Sequence, residues 1–153
     1  MKSMALFVVP AVFLAFLLAF AGSDAAAQGK HPAYLHALTD LRAARAHLQH
    51  QDGGALREEE KEAIHQIDEA INEIKRASID DGKDLDDHPP VDAGMDHIGR
   101  LHRAKQLLEK AHEDIAHEED NAFAQGLQQR AFGHIDRAMH EVNEAMRIVA
   151  SHS

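Results

Sequence analysis

Beyond residue 30 the apolar residues of this chain recur at the spacing of an α-helix, stretch after stretch, and that period limits it to an all-α fold. His31-Pro32 opens the first stretch, with proline suited to the first helical position. Tyr34, Ala37, Leu38, Leu41, Ala44, Arg45 and Leu48 then fall on one stripe, which ends at "HQDGGAL" with Gly53-Gly54. The second stretch begins with Glu58-Glu59-Glu60, which suits the positive end of a helix dipole. Its apolar face is Ala63, Ile64, Ile67, Ala70, Ile71, Ile74 and Ala77. The third carries Ile98, Leu101, Ala104, Leu108, Ala111 and Ile115. "HEEDNAF" interrupts it, with Asp120 or Asn121 as the expected N-cap. The fourth shows Leu127, Ala131, Ile135, Ala138, Val142, Ala145 and Val149, flanked by Phe132, Met139 and Met146.

The stretches repeat in pairs. Tyr34, Ala37, Leu41, Ala44 and Leu48 match Leu101, Ala104, Leu108, Ala111 and Ile115, each 67 residues further on. "IDEAINEI" (67–74) matches "IDRAMHEV" (135–142) at a spacing of 68. The expectation is an antiparallel four-helix bundle made of two similar hairpins, about 32–78 and about 96–150, within one domain over residues 28–153. Residues 79–95 form the linker, "IDDGKDLDDHPPVD" and Ala93-Gly94-Met95, with six aspartates and the Pro89-Pro90 pair. Up-down-up-down order would bring the starts of the first and third helices to one pole.

The first 27 residues read as a cleavable signal peptide. Lys2 supplies the positive start, Ala5 to Ala21 the apolar run, and Ala25-Ala26-Ala27 the small residues before a cut at Gln28. The run is short for a spanning helix, so no stable membrane anchor is expected after cleavage. A periplasmic or secreted bacterial location is implied. The chain has no cysteine, which removes disulfides, thiolate metal sites and cysteine nucleophiles. Losing the signal removes Lys2 and Asp24 and leaves the formal charge at −10, a field that repels nucleic acid. Thirteen histidines, all after the signal, would carry that charge to +3 if every one were protonated.

Several sites fail on spacing. An EF-hand needs Gly at the sixth and Glu at the twelfth position, and no register of the Asp run provides them. Glu62-x-x-His65 and Glu109-x-x-His112 have di-iron spacing, but the helical wheel turns the first pair to water and the second to the edge of its stripe. Met139 and Met146 share a helix with His134 and His140, so they offer no facing axial pair for haem and read as core filler. Surface histidines remain. His65 with Glu69, Asp136 with His140 and Glu113 with His117 read as one-turn ion pairs, and His47 with His50 as a pair able to chelate. The linker pole would gather His31, His36, Asp86, Asp87 and His88, an imidazole and carboxylate set suited to zinc, copper or nickel. No nucleophile or phosphate loop accompanies them, so no enzyme is expected.

At "HPAYLHALTDLRAAR" (31–45), "IDDGKDLDDHPPVD" (79–92) and "EEDNAFAQGLQQRAFGHID" (118–136) the chain resembles a group of exported bacterial helical proteins of unassigned activity. The resemblance covers nearly all of the mature chain and implies export and nothing about chemistry. The sequence alone therefore leads to a non-enzymatic exported binding protein. The first expectation is weak divalent transition-metal binding through His31, His36, Asp86, Asp87 and His88. The alternative is a protein-interaction or structural module of the cell envelope with a pH-sensitive histidine surface, holding another exported protein.

Overall fold

The computed structural model describes residues 32–50, 55–77, 81–92, 94–117 and 122–152, the last with side chains from residue 126 onward. The expected signal peptide, His31, the Gly53-Gly54 turn and the Asp120/Asn121 cap lie outside these residues. Four helices pack together: α1 (Pro32–Gln49), α2 (Glu58–Arg76), α3 (His97–Ala116) and α4 (Ala122–Ser151). Among the described residues there is no strand, and no helix is long and apolar enough to cross a membrane.

Local chemistry explains the ends. α1 begins at Pro32, which gives up no hydrogen bond in the first turn, where the N–H groups have no intrahelical partner. α2 opens on three glutamates and closes on Lys75 and Arg76, both matched to the helix dipole. Glu60 Oε2 also accepts from Arg57 N at 2.9 Å, closing the first turn. α3 is capped by Asp96, whose Oδ1 accepts from Gly99 N at 2.8 Å. Buried Arg100 donates to Met95 O and ties the same turn to the linker.

The core is built from alanines one heptad apart. Ala37 and Ala44, Ala63 and Ala70, Ala104 and Ala111, and Ala131, Ala138 and Ala145 are all fully buried. Small residues at every second turn let helix axes approach closely. The layers between are filled by Leu38, Leu41, Ile67, Ile71, Ile74, Leu101, Leu108, Ile115, Ile135 and Val142. Burying each such leucine or isoleucine contributes about 1.5–3 kcal/mol. Every pair matched at 67 residues, Tyr34 with Leu101 through Leu48 with Ile115, is buried in both members. Among the apolar residues of the second set only Met139, opposite Ile71, is half-exposed. Ala77, Ile64, Ile98 and Val149 sit at the core margin, not inside it.

Packing is heaviest between α2 and α4 and between α1 and α3, and lightest between α1 and α2. The equivalent helices of the two halves are thus the close partners. Their contacts run in opposite residue order. Asp40 of α1 meets Lys110 of α3, while His47, further along α1, faces Arg103 and Arg100 near the start of α3. Glu73 of α2 meets Arg130 of α4, while Gln66, earlier in α2, meets His134 and Arg137.

These contacts correct the expected pole. The start of α3 lies beside the end of α1, and His97 reaches Glu60 at the start of α2 at 2.6 Å. The linker is responsible. It does not stay at one end but runs along α1 in the same direction, Asp81 on Arg42, Asp86 on Arg45, and His88 near His47. α1 is about 27 Å long at 1.5 Å per residue, well within the reach of an extended segment of this length.

Candidate functional site

The acidic linker is where the sequence concentrates its candidate ligands, and two arginines of α1 use most of what it offers. Arg42 is wholly buried, and its Nη1 and Nη2 donate to Asp81 Oδ2 and Oδ1 at 2.7 and 2.8 Å. Nη2 also donates to Lys83 O at 3.3 Å, and Lys75 Nζ of α2 donates to the same carbonyl at 2.8 Å. One turn later, Arg45 donates to Asp68 of α2 at 2.8 Å and to Asp86 at 2.9 Å. A two-point fork such as the Arg42–Asp81 pair is among the strongest ways to hold a carboxylate. The first half of the linker is therefore clasped over the seam where α1 and α2 pack least.

Electrostatics agree with the geometry. Burial pushes the Asp81 carboxyl up, but the Arg42 hydrogen bonds and charge outweigh it, and the pKa ends below the ordinary 3.8. At Asp68 burial outweighs the Arg45 charge and hydrogen bond, and its pKa ends above 3.8.

Of the five expected metal ligands, the four within the described residues are not gathered at one point. His31 lies outside the described residues. His36 is exposed on α1, eleven residues before His47 and so about 16 Å up the helix from the His88 end. Asp86 is engaged by Arg45. Asp87 is exposed, with its backbone N–H donating to Asp84 O at 3.2 Å. His88 is half-buried, its Nδ1 2.8 Å from Pro89 O. Among the described residues no group of three histidine, aspartate or glutamate side chains stands where it could hold a metal ion.

Four histidines, His47, His97, His112 and His134, instead occupy joints between elements. His97 Nε2 donates to Glu60 Oε1 across α3 and α2. His112 of α3 stands 3.6 Å from Asp136 of α4 and tilts over Phe132, ring centroids 4.5 Å apart. Glu109, His112, Glu113, Asp136 and Met139 line a shallow depression of about 390 Å³ there. At the α2–α4 joint, Arg137 forks onto Gln66 Oε1 at 2.9 Å and His134 Nδ1 at 2.8 Å. The same ring nitrogen also stands 2.8 Å from Gln66 Oε1, so it can accept from Arg137 or donate to Gln66, but not both at once. Burial first, then Arg137, holds its pKa below 6.5.

Two expected one-turn ion pairs take other forms. Asp136 turns to His112 across the groove, and His117 Nδ1 meets the Glu113 carbonyl at 2.6 Å. His65 is exposed, as the helical wheel required.

His47 is the histidine the spacing argument placed least well. Read as half of a surface chelating pair, it is 7% exposed, and its Nδ1 is buried without a hydrogen-bond partner. Arg42 was also missed. A signal existed for Arg42, since Leu38, Arg42, Arg45 and Gln49 continue one helical row, and two arginines on it require carboxylates from elsewhere in the chain.

No family model matches the chain, and no curated protein or solved structure is significantly similar to it.

Proposed function

We propose that this chain is a non-enzymatic, exported, bacterial interaction module: an antiparallel bundle of two similar helical hairpins that holds another exported protein in a pH-dependent way. The observation that carries this reading is the distribution of histidines over joints. His47, His97, His112 and His134 each face a different element, so a proton on any of them acts on packing between elements. Export rests on the apolar run and small residues of the first 27 positions. Divalent-metal binding through His31, His36, Asp86, Asp87 and His88 draws less support, because Arg45 competes for Asp86 and His36 stands far from His88.

The test is sedimentation and thermal melting of the mature chain at pH 5.5 and 7.5, with and without chelator, alongside titration with zinc, copper and nickel. The module reading expects association to follow pH, melting to follow it at high salt, and neither to respond to chelator. A melting temperature raised by metal and lowered by chelator would overturn it in favour of the metal site.

A further inference from the structure

Asp81 is followed directly by Gly82, and an aspartate before a glycine carries a covalent chemistry of its own. The main-chain nitrogen after an aspartate can attack the side-chain carboxyl carbon, and glycine, having no Cβ, crowds that attack least. Here the bond formed is Gly82 N to Asp81 Cγ. The amide proton and one carboxyl oxygen leave as water, and a cyclic imide remains. Water then adds back at either carbonyl. Addition at Cγ restores the aspartate. Addition at the main-chain carbonyl breaks the original peptide bond and leaves the chain running through the side chain, as isoaspartate. Only water is exchanged, and nothing is oxidised or reduced. The same dipeptide occurs at Asp52-Gly53, which lies outside the described residues.

Both oxygens of Asp81 are held. Oδ2 accepts from Arg42 Nη1 at 2.7 Å, and Oδ1 accepts from Arg42 Nη2 at 2.8 Å and from Lys83 N at 3.3 Å. The Asp81 side chain is 10% exposed and that of Arg42 is fully covered. An oxygen must be protonated before it leaves as water, and a guanidinium fork keeps a carboxylate ionised and fixed in place. Gly82 itself is exposed and stands at φ +69°, the left-handed conformation that glycine permits. Just beyond it, Lys83 O accepts from Arg42 Nη2 and Lys75 Nζ. The dipeptide best suited to cyclise is therefore gripped on both sides of the bond that would change. Asp84 and Asp86, in the same run, precede Leu85 and Asp87, whose side chains crowd the attacking nitrogen.

We propose that Asp81-Gly82 is a latent succinimide and isoaspartate site that the Arg42 fork holds closed, so that release of the fork converts the linker to an unclasped form. Isoaspartate inserts a methylene into the main chain and moves the free carboxylate onto Cα. The two-point fork and the Lys83 carbonyl contacts then no longer fit Arg42 together, and the buried guanidinium is stranded. A reversible opening of the linker becomes a lasting one. This goes beyond the reading of the protein as a pH-dependent module and does not depend on it.

The test is ageing of the purified chain at pH 7.5, folded and in urea, with peptide mapping and isoaspartate-specific methylation as readouts. In urea both Asp-Gly steps should give isoaspartate, while the folded chain should keep Asp81 intact. Arg42→Met, or Arg42→Lys should that variant fold poorly, should accumulate isoaspartate at position 81 at least about tenfold faster than the folded native chain, a ratio equal to about 1.4 kcal/mol of barrier. Leu108→Ala lowers stability by opening a core cavity and leaves the fork in place, so it separates loss of the fork from general unfolding. It should protect Asp81 far better than the Arg42 variant does. Isoaspartate at position 81 of the folded native chain at the rate seen in urea overturns the proposal. So does its absence from a folded Arg42 variant, or an equal rate in Leu108→Ala.

Discussion

Asp81 and Asp86 belong to the same acidic run yet carry very different weights, and their arginines decide which. Asp81 keeps 10% of its side-chain exposure and meets a guanidinium that has none, whereas Asp86 is 87% exposed. Removing one partner of a buried ion pair costs about 3–5 kcal/mol, because the other charge is stranded. Arg42→Ala should therefore lower stability by about that much in urea melts, and Arg42→Met with Asp81→Leu should recover most of it. Asp86→Ala should cost less than about 1 kcal/mol, as exposed pairs do. Because the Asp81 pKa is depressed, its contribution is present above 3.8 and is lost as pH falls through and below that value. The clasp therefore survives at pH 5.5. The sequence shows the Asp run plainly but not its partners. A carboxylate that binds metal and one that binds arginine look alike until Arg42 and Arg45 are brought beside them.

At the scale of single elements, the apolar faces were legible because a 3.6-residue period leaves little choice about which side is buried. Ala63, Ile67, Ala70 and Ile74, like Leu101, Ala104, Leu108 and Ala111, are inside as their spacing requires. Which helix each face meets was not legible, since any of four similar stripes satisfies any other. The linker settled it by crossing the bundle. A helix start gives a sharper test. Gly99 sits in the first turn of α3, where alanine ordinarily stabilises a helix by about 1 kcal/mol over glycine. Here a Cβ would lie 2.7 Å from Asp96 Oδ1 and 2.9 Å from Met95 Cγ, displacing the capping carboxylate. Loss of such a cap costs about 1 kcal/mol. Gly99→Ala should thus be neutral or destabilising in thermal melts of the native chain. In an Asp96→Ala background the same change should become stabilising, and a stabilising effect in both backgrounds would remove the cap from the account. In the core, Ala70→Leu or Ala111→Leu should cost about 1–3 kcal/mol by forcing apart helices that approach at fully buried alanines.

For the whole molecule, acid sets two effects against each other. Protonating exposed histidines relieves the self-repulsion of a chain with a formal charge of −10, which favours the compact state. Protonating His47 and His134 opposes it, since both are held below 6.5 in the fold, by burial first and then by Arg103 and Arg100 for one and Arg137 for the other. A histidine whose folded pKa is depressed binds more protons when unfolded, so its contribution is whole above 6.5 and falls away as pH drops below that value. Salt separates the two. Repulsion between surface charges is largely screened at 1 M ionic strength, where the Debye length is about 3 Å, while a buried ring without an acceptor is shielded far less. The melting temperature should therefore change little between pH 7.5 and 5.5 at low salt and fall clearly over the same range at 1 M. His47→Leu with His134→Gln should flatten the high-salt profile. A profile that is flat at high salt in the native chain would place the pH response entirely in surface charge, and with it would go the link between these two joints and the behaviour of the bundle.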